Sequence, residues 1–473
     1  MSLRKSSELA NGGTEFDLEG QRGRRQFNPM PEILTHPKKN RRIALGDAPA
    51  RGEVHRLWLY FAVTLFFVVG GYFWMTSARI LDEPIRLTYG PADPSFPGTF
   101  GPLVGAEFSR GNKVKVLVNG IEFFPAMLNA IRGAQKTITL ETYIWSSGEI
   151  SNKFIAALSE RAQHGVKVHV LVDGMGTLKL SHREESQMKE AGVDFIVFGR
   201  EHWYDVKPNI NHRTHRKILV VDGKIGFTGG NCIDDHWMGD AQSTKVWRDT
   251  QIQIEGPAVL QLQAVFVDNW LQTTGGLLTG PTYFPPPDRT GESLANCYKS
   301  GPDADPQNAR IAYLLAIASA RKTIRIANAY FVPDDLAVQM LVEARRRGVR
   351  VQIVVPAVND SRIGRAASRS RWGKLLEAGC EFYRYTPAMY HCKVMIVDDL
   401  YVTVGSVNFD NRSFSINDEV ASDILDPKVA SDLLKSFGDD VQKSIPYSYQ
   451  DYEARPWWLK AGDWTAGLIR SQL

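Results

Sequence analysis

Cysteine is scarce in this chain: Cys232, Cys297, Cys380 and Cys392 are the only four among 473 residues, and none stands at metal-ligand spacing. No disulfide framework or zinc site can be read from them, and neither a metal nor a cofactor is expected. Net charge is also low where it would matter. The chain carries +4, but residues 1–56 hold 11 Lys or Arg against 7 Asp or Glu, so the remainder has 45 of each sign and nets zero. A neutral body argues against a nuclease, because binding a phosphate backbone normally needs a basic surface. No nucleic-acid partner is expected. Long apolar runs are missing too, with one exception at 57–76. Otherwise 43% hydrophobic and 23% charged residues are ordinary globular material, enough for two domains and appendages.

What the chain does have is one short pattern twice. His215-Arg216-Lys217 is followed by Asp222, and His391-Cys392-Lys393 by Asp398, so each copy reads H-x-K-x4-D. Side chains alternate faces along a strand, which sends His215 and Lys217 to one side, and His391 and Lys393 likewise. An imidazole beside an ammonium suits phosphoryl chemistry, with His as nucleophile or proton donor and Lys as a point charge for phosphate oxygens. The apolar runs Ile218–Val221 and Val394–Val397 read as buried strands that end in turns at Asp222 and Asp398. A single H-x-K is more often an ordinary half-buried histidine than a catalyst. A second copy in the same context, which a pseudo-twofold fold could bring onto one phosphate, reverses that balance.

The repeat runs well beyond the motif. Gln135 to Leu140 (QKTITL) parallels Arg321 to Ile326 (RKTIRI), each leading to a tyrosine, Tyr143 and Tyr330. Phe154 to Asp173 parallels Val338 to Pro356, a helix closed near Gly165 or Gly348 and followed by a β-branched strand. Glu190 to Phe195 matches Glu377 to Phe382 ahead of each motif strand. The chain thus reads as a duplicated α/β unit of about 150 residues.

With both motifs and the repeat in view, roughly residues 111–445 resemble the phospholipase D superfamily. The bacterial cardiolipin synthase branch fits best, on Glu141-Thr142-Tyr143-Ile144, Ala329-Tyr330-Phe331-Val332-Pro333 and Gly405 to Ser413 (GSVNFDNRS). The resemblance implies an α/β fold of two similar halves, 111–280 and 307–445, packed around one active site, with a linker at 281–306. It also implies that one motif His attacks the phosphodiester phosphorus while the other protonates the leaving alcohol. On that analogy His215 is the nucleophile and His391 the acid, although spacing alone does not fix the order. Lys217, Lys393 and Asn408 would hold the non-bridging oxygens.

A catalytic imidazole also needs a carboxylate on its far nitrogen. Asp222 and Asp398 belong to the motif and are candidates, but a strand separates them from the His, so turn capping competes with catalysis. The family's orienting acids lie downstream, matching Asp249 and Glu419, each eight residues before a proline, Pro257 and Pro427. Each is expected to serve the His of its own half. One departure stands out: counting from the motif Asp places Cys232 opposite Asn408, with Asn231 one position early. Either Asn231 reaches the phosphate through a local shift or the first half lacks that donor.

Residues 57–76 (LWLYFAVTLFFVVGGYFWMT) carry no charge over 20 positions, close to the length of a membrane span. Trp58 and Tyr60 at one end and Tyr72 and Trp74 at the other fit an aromatic belt. A buried core helix or a cleaved signal segment are the competing readings. Positions 37–56 carry six basic residues and 77–96 carry two. The expectation is therefore a single-pass protein of the bacterial cell membrane, with a disordered cytoplasmic tail (1–56), a linker (77–110) and the catalytic body outside. At 446–473, Trp457, Trp458, Trp464, Leu468 and Ile469 near Arg455, Lys460 and Arg470 suggest an amphipathic interfacial tail, with packing onto the core the equal alternative. The function expected is a phosphatidyltransferase that makes cardiolipin from two phosphatidylglycerols with release of glycerol. A phospholipase D giving phosphatidic acid is the first alternative, then a nuclease, then a non-catalytic lipid-binding scaffold.

Overall fold

The computed structural model describes residues 58–68, 81–199, 211–302 and 307–468. The basic tail 1–56 lies outside them, as do positions 57 and 69–76 of the apolar run and Ile469 and Arg470. The chain divides into two compact units, Met1–Ala78 and Arg79–Leu473. In the first, 58–68 is helical with its side chains exposed. Among the described residues no helix is long and apolar enough to cross a membrane.

The second unit is built on a 15-stranded sheet whose order carries the duplication. Outward from the centre, the first half runs Ser109–Val118, Thr250–Glu255, Ile225–Gly229, Ile218–Val221, Thr137–Thr142, Lys167–Asp173 and Asp194–Phe198. The second runs Ser293–Ser300, Glu419–Leu425, Tyr401–Gly405, Lys393–Val397, Thr323–Asn328, Arg350–Pro356 and Glu381–Tyr385, with Ser444–Tyr447 added at the edge. The halves meet where Ser109–Val118 pairs antiparallel with Ser293–Ser300. Both motif strands sit at the same place in their half and are buried throughout. Each is antiparallel to a strand that then pairs in parallel with the next, through the crossover helices Glu149–Gln163 and Asp335–Arg346. Gly165 (φ +84°) and Gly348 (φ +90°) end the two crossovers in the left-handed conformation that glycine adopts without strain.

Among the described residues, three large apolar clusters and one small one fill the unit. Of the large ones, one belongs to each half, and a central one takes Val259, Leu262, Phe266 and Trp270 from the first half and Val429, Leu433 and Phe437 from the second. Two segments expected as linkers are structural. Ser95–Leu103 is a helix that buries Phe96 and Phe100 against Tyr401, because their i, i+4 spacing puts both rings on one face. Within 281–306, Ser293–Ser300 (SLANCYKS) is a central strand that has no period-2 apolar alternation and is flanked by Pro, Gly and Asp. The C-terminal tail ends in helix Trp457–Leu468, which buries Asp463 and Ala466 but leaves Trp457, Trp458, Trp464 and Leu468 exposed.

Candidate active site

The motif histidines stand just ahead of their strands: Ile218–Val221 begins after Lys217, and Lys393 is the first residue of Lys393–Val397. Each is part of an extended lead-in held by the other half. Met389–Tyr390 pairs in parallel with Trp247–Arg248, and the amide of His391 donates to the Arg248 carbonyl at 2.7 Å. Correspondingly, Thr214 bridges to Asp418, and the amide of His215 donates to the Asp418 carbonyl at 2.9 Å.

This crossing decides which carboxylate serves which imidazole. His215 Nδ1 lies 2.9 and 3.0 Å from the Glu419 oxygens, and His391 Nδ1 lies 2.8 Å from Asp249 Oδ2. Both downstream acids thus stand where an orienting acid must, within hydrogen-bond reach. The expectation that each pairs within its own half is corrected: the partners are exchanged across the pseudo-twofold. The acid follows its half's strand, whereas the crossing peptides place it under the other half's histidine. Asp249 is held in turn by Trp237 Nε1 at 2.8 Å and by the amide of Thr250 at 2.8 Å, while Glu419 accepts from Ser406 Oγ. With each Nδ1–H directed at a carboxylate, each Nε2 is left to face the pocket.

Asp222 and Asp398 are not beside the imidazoles. Each stands five residue steps beyond its Lys, roughly 16 Å of extended chain. Asp222 accepts from the amides of Gln135, Lys136 and Thr137 at 2.8, 2.7 and 2.8 Å, and Asp398 from Arg321, Lys322 and Thr323 at 2.8, 2.7 and 2.9 Å. Both adopt left-handed backbone, with φ +53° and +52°. Their contacts fasten the motif turn to the start of the neighbouring strand, so their place in the motif reflects folding rather than contact with the substrate.

His215 and His391 line one cavity of about 390 Å³, together with Tyr143, Tyr330, Trp237, Trp247, Asn408, Asp410, Arg213 and Arg412. The two lysines are buried beside the motif histidines. Lys217 Nζ is 2.6 Å from the His215 carbonyl and 5.4 Å from the centre of the Tyr143 ring. Lys393 Nζ is 2.7 Å from the His391 carbonyl and 3.2 Å from both nitrogens of that ring. Asn408 faces the cavity with its carboxamide oxygen buried and without a hydrogen-bond partner among the described residues. Asn231 does not join it. Its side chain lies by Met127 and Gln251 in a separate small recess shared with Lys217, and Cys232 takes the wall position opposite Asn408.

Burial and charge set the protonation states. Desolvation pushes His215 down to about 4 against the pull of Glu419, and desolvation together with Lys393 pushes His391 to about 4 against Asp249. Burial brings Lys393 down to about 8 although Asp249 opposes it. Burial would raise the Asp249 carboxyl, but His391 and Lys393 outweigh it and hold the group below the usual range. Asp410, on the cavity wall, is pushed up to about 7 by burial. The imidazoles are therefore neutral and crowded by ammonium groups, a balance that a phosphodiester anion would shift.

Sequence reasoning missed Trp237, Trp247, Ser406 and Asp410. The indole rings of Trp237 and Trp247 lie 5.2 and 5.1 Å from His391, centre to centre. Trp247 stands two residues before Asp249, and Ser406 lies within the quoted Gly405 to Ser413 stretch. The signal was present, but only the crossing shows what these side chains touch.

A duplicated α/β chain that brings two histidines, each backed by a lysine and a carboxylate, to one cavity has the architecture of the phospholipase D-like proteins. Residues 127–261 and 313–441 match the family described as cardiolipin synthase, phospholipase D-like domain. Cardiolipin synthase 1 of Bacillus cereus is 36% identical over 349 residues, covering 72% of this chain and 69% of the relative. Cardiolipin synthase of Geobacillus thermodenitrificans is 36% identical over 363 residues, covering 76% and 72%. The chain belongs to the cardiolipin synthase family of phospholipase D-like enzymes. Phosphatidylserine synthase of Haemophilus influenzae shares the fold, with a TM-score of 0.57 at 15% identity over 79% of this chain and 98% of that one.

Proposed function

We propose that this enzyme transfers a phosphatidyl group from one phosphatidylglycerol to the hydroxyl of another, making cardiolipin and releasing glycerol. The observation that carries the mechanism is the pair of exchanged His–carboxylate contacts at one cavity. His215 Nε2, neutral at pH 7, attacks phosphorus; the P–N bond forms as the bond to the glycerol oxygen breaks, and His391 gives its proton to that oxygen. The acceptor hydroxyl then loses its proton to His391 and attacks phosphorus, and the P–N bond breaks to regenerate His215. Lys217 and Lys393 balance the phosphoryl charge, and the side-chain N–H of Asn408, on the cavity wall, supplies a neutral donor. Before the first step His391 must acquire a proton. The bound phosphodiester favours this, because an anion at the cavity opposes the two ammoniums that depress the imidazole.

The same chemistry with water as acceptor would give phosphatidic acid. Ile144, Trp237, Trp247 and Val332 on the wall supply apolar surface that disfavours water and supports the alcohol as acceptor. Mass spectrometry of products from the purified protein in phosphatidylglycerol micelles tests this reading. Cardiolipin and glycerol are expected, and phosphatidic acid as the dominant product would replace it with the hydrolase.

The family relationship and the apolar run support a protein of the bacterial cell membrane, and the charge asymmetry of its flanks supports a cytoplasmic N-terminus with the catalytic body outside. A reporter active only outside the cytoplasm, fused after Leu473, is expected to give signal. A signal only from a cytoplasmic reporter would reverse the orientation.

A further inference from the structure

Helix Trp457–Leu468 is amphipathic in the inverted sense. Its outward stripe is Trp457, Ala461, Trp464 and Leu468 at i, i+4, i+7 and i+11, flanked by Trp458. Trp457 is 79% exposed, Trp464 67%, Leu468 63% and Trp458 60%. The helix's one carboxylate lies inside: Asp463 is buried against Arg369, at 2.7 Å, and against Arg455. A helix packed only for a soluble surface would turn its carboxylate to water and its indoles to the protein.

The helix is fastened to the wall of the catalytic cavity. It packs on helix Arg362–Ser370, whose N-terminal Ser361 and Gly364 line the cavity. Ala466 clusters with Ala367 and with Val332, itself a cavity residue. Along that rim Val358 and Ile363 are each 54% exposed. Arg362, the first residue of helix Arg362–Ser370, is exposed and has no ion pair among the described residues.

We propose that the outer face of Trp457–Leu468, with Val358 and Ile363, is an interfacial docking surface that seats the mouth of the cavity on a bilayer containing anionic phospholipid. It rests on the lipid-substrate reading above. Tryptophan prefers the headgroup level, where its apolar ring and its N–H are both satisfied, and an exposed arginine at the start of the helix it packs on matches an anionic surface. The buried Asp463–Arg369–Arg455 cluster holds the helix at a fixed angle, so that docking also orients the pocket.

Two measurements on the full chain in proteoliposomes test the proposal. The four native cysteines are buried, so Trp464→Cys and, as a distant control, Lys153→Cys can each be labelled selectively with a fluorophore. In phosphatidylcholine–phosphatidylglycerol bilayers, lipids spin-labelled near the headgroup should quench the label at 464 and not that at 153. A label at 464 that is not quenched overturns the proposal. Separately, the triple variant Trp457→Ser, Trp464→Ser, Leu468→Ser should lose about tenfold or more in kcat/KM on bilayer phosphatidylglycerol. On monodisperse short-chain phosphatidylglycerol it should stay within about twofold of the parent. Equal retention on both substrates, or equal loss on both, overturns the proposal. If the parent turns over no phosphatidylglycerol in any form, the functional reading fails while the quenching still decides the docking surface.

Discussion

Turnover by the His215→Ala or the His391→Ala protein is expected to fall on the order of 10⁴-fold or more with the fold intact, and the double variant should be little worse than either single one. Both imidazoles face one cavity and act on one phosphorus, and groups that act as a unit lose their effect together. Steady-state transfer assays beside circular dichroism of each variant check this. A folded single variant with near-parental activity would sink the two-histidine mechanism.

The same substitutions should change the response to acid. Each imidazole has its folded-state pKa pushed from 6.5 to about 4, chiefly by burial. Below pH 6.5 the unfolded chain binds protons that the folded chain refuses, so unfolding becomes easier as pH falls towards 4. Over that window each histidine removes roughly 3 kcal/mol of stability. The parental melting temperature should therefore drop between pH 6.5 and 4 more steeply than that of the double variant. Parallel curves would mean that the imidazoles titrate as if exposed.

The exchange of acids gives the second large effect. Asp249→Asn should behave as a lesion of His391, and Glu419→Gln as a lesion of His215, each costing on the order of 10² to 10⁴ in kcat by loss of tautomer and orientation. Double-variant cycles distinguish this from pairing within a half: Asp249 with His391 and Glu419 with His215 should be strongly non-additive, while Asp249 with His215 and Glu419 with His391 should couple less. Stronger coupling within each half would overturn the exchanged assignment.

The sequence carried a good deal of this site. The i, i+2 spacing named His215, Lys217, His391 and Lys393, and the matched distances to Pro257 and Pro427 singled out Asp249 and Glu419. The turn reading of Asp222 and Asp398 agrees with their three amide contacts each. Other features were out of reach because they depend on residues far apart in the chain. Trp237 meets His391 across 154 positions of sequence, and no periodicity reports such a contact. Ser293–Ser300 was hidden in a stretch whose composition says loop, since burial in the centre of a sheet comes from its neighbours rather than from its own residues.

By itself, then, the sequence determined what is local or repeated: two α/β halves, two His–Lys pairs, their turns and the carboxylates downstream. Local spacing fixes which face a side chain takes and which turn ends a strand, and a duplicated pattern needs no coordinates to be recognised. Only the tertiary structure decided which acid serves which histidine, that Asn231 leaves the pocket while Cys232 enters its wall, and that the last helix turns its tryptophans outward. Each of these depends on how one half packs on the other or how the tail packs on the core. That is settled by backbone hydrogen bonds between residues far apart in sequence, His215 with Asp418 and His391 with Arg248, and by burial of Asp463 against two arginines.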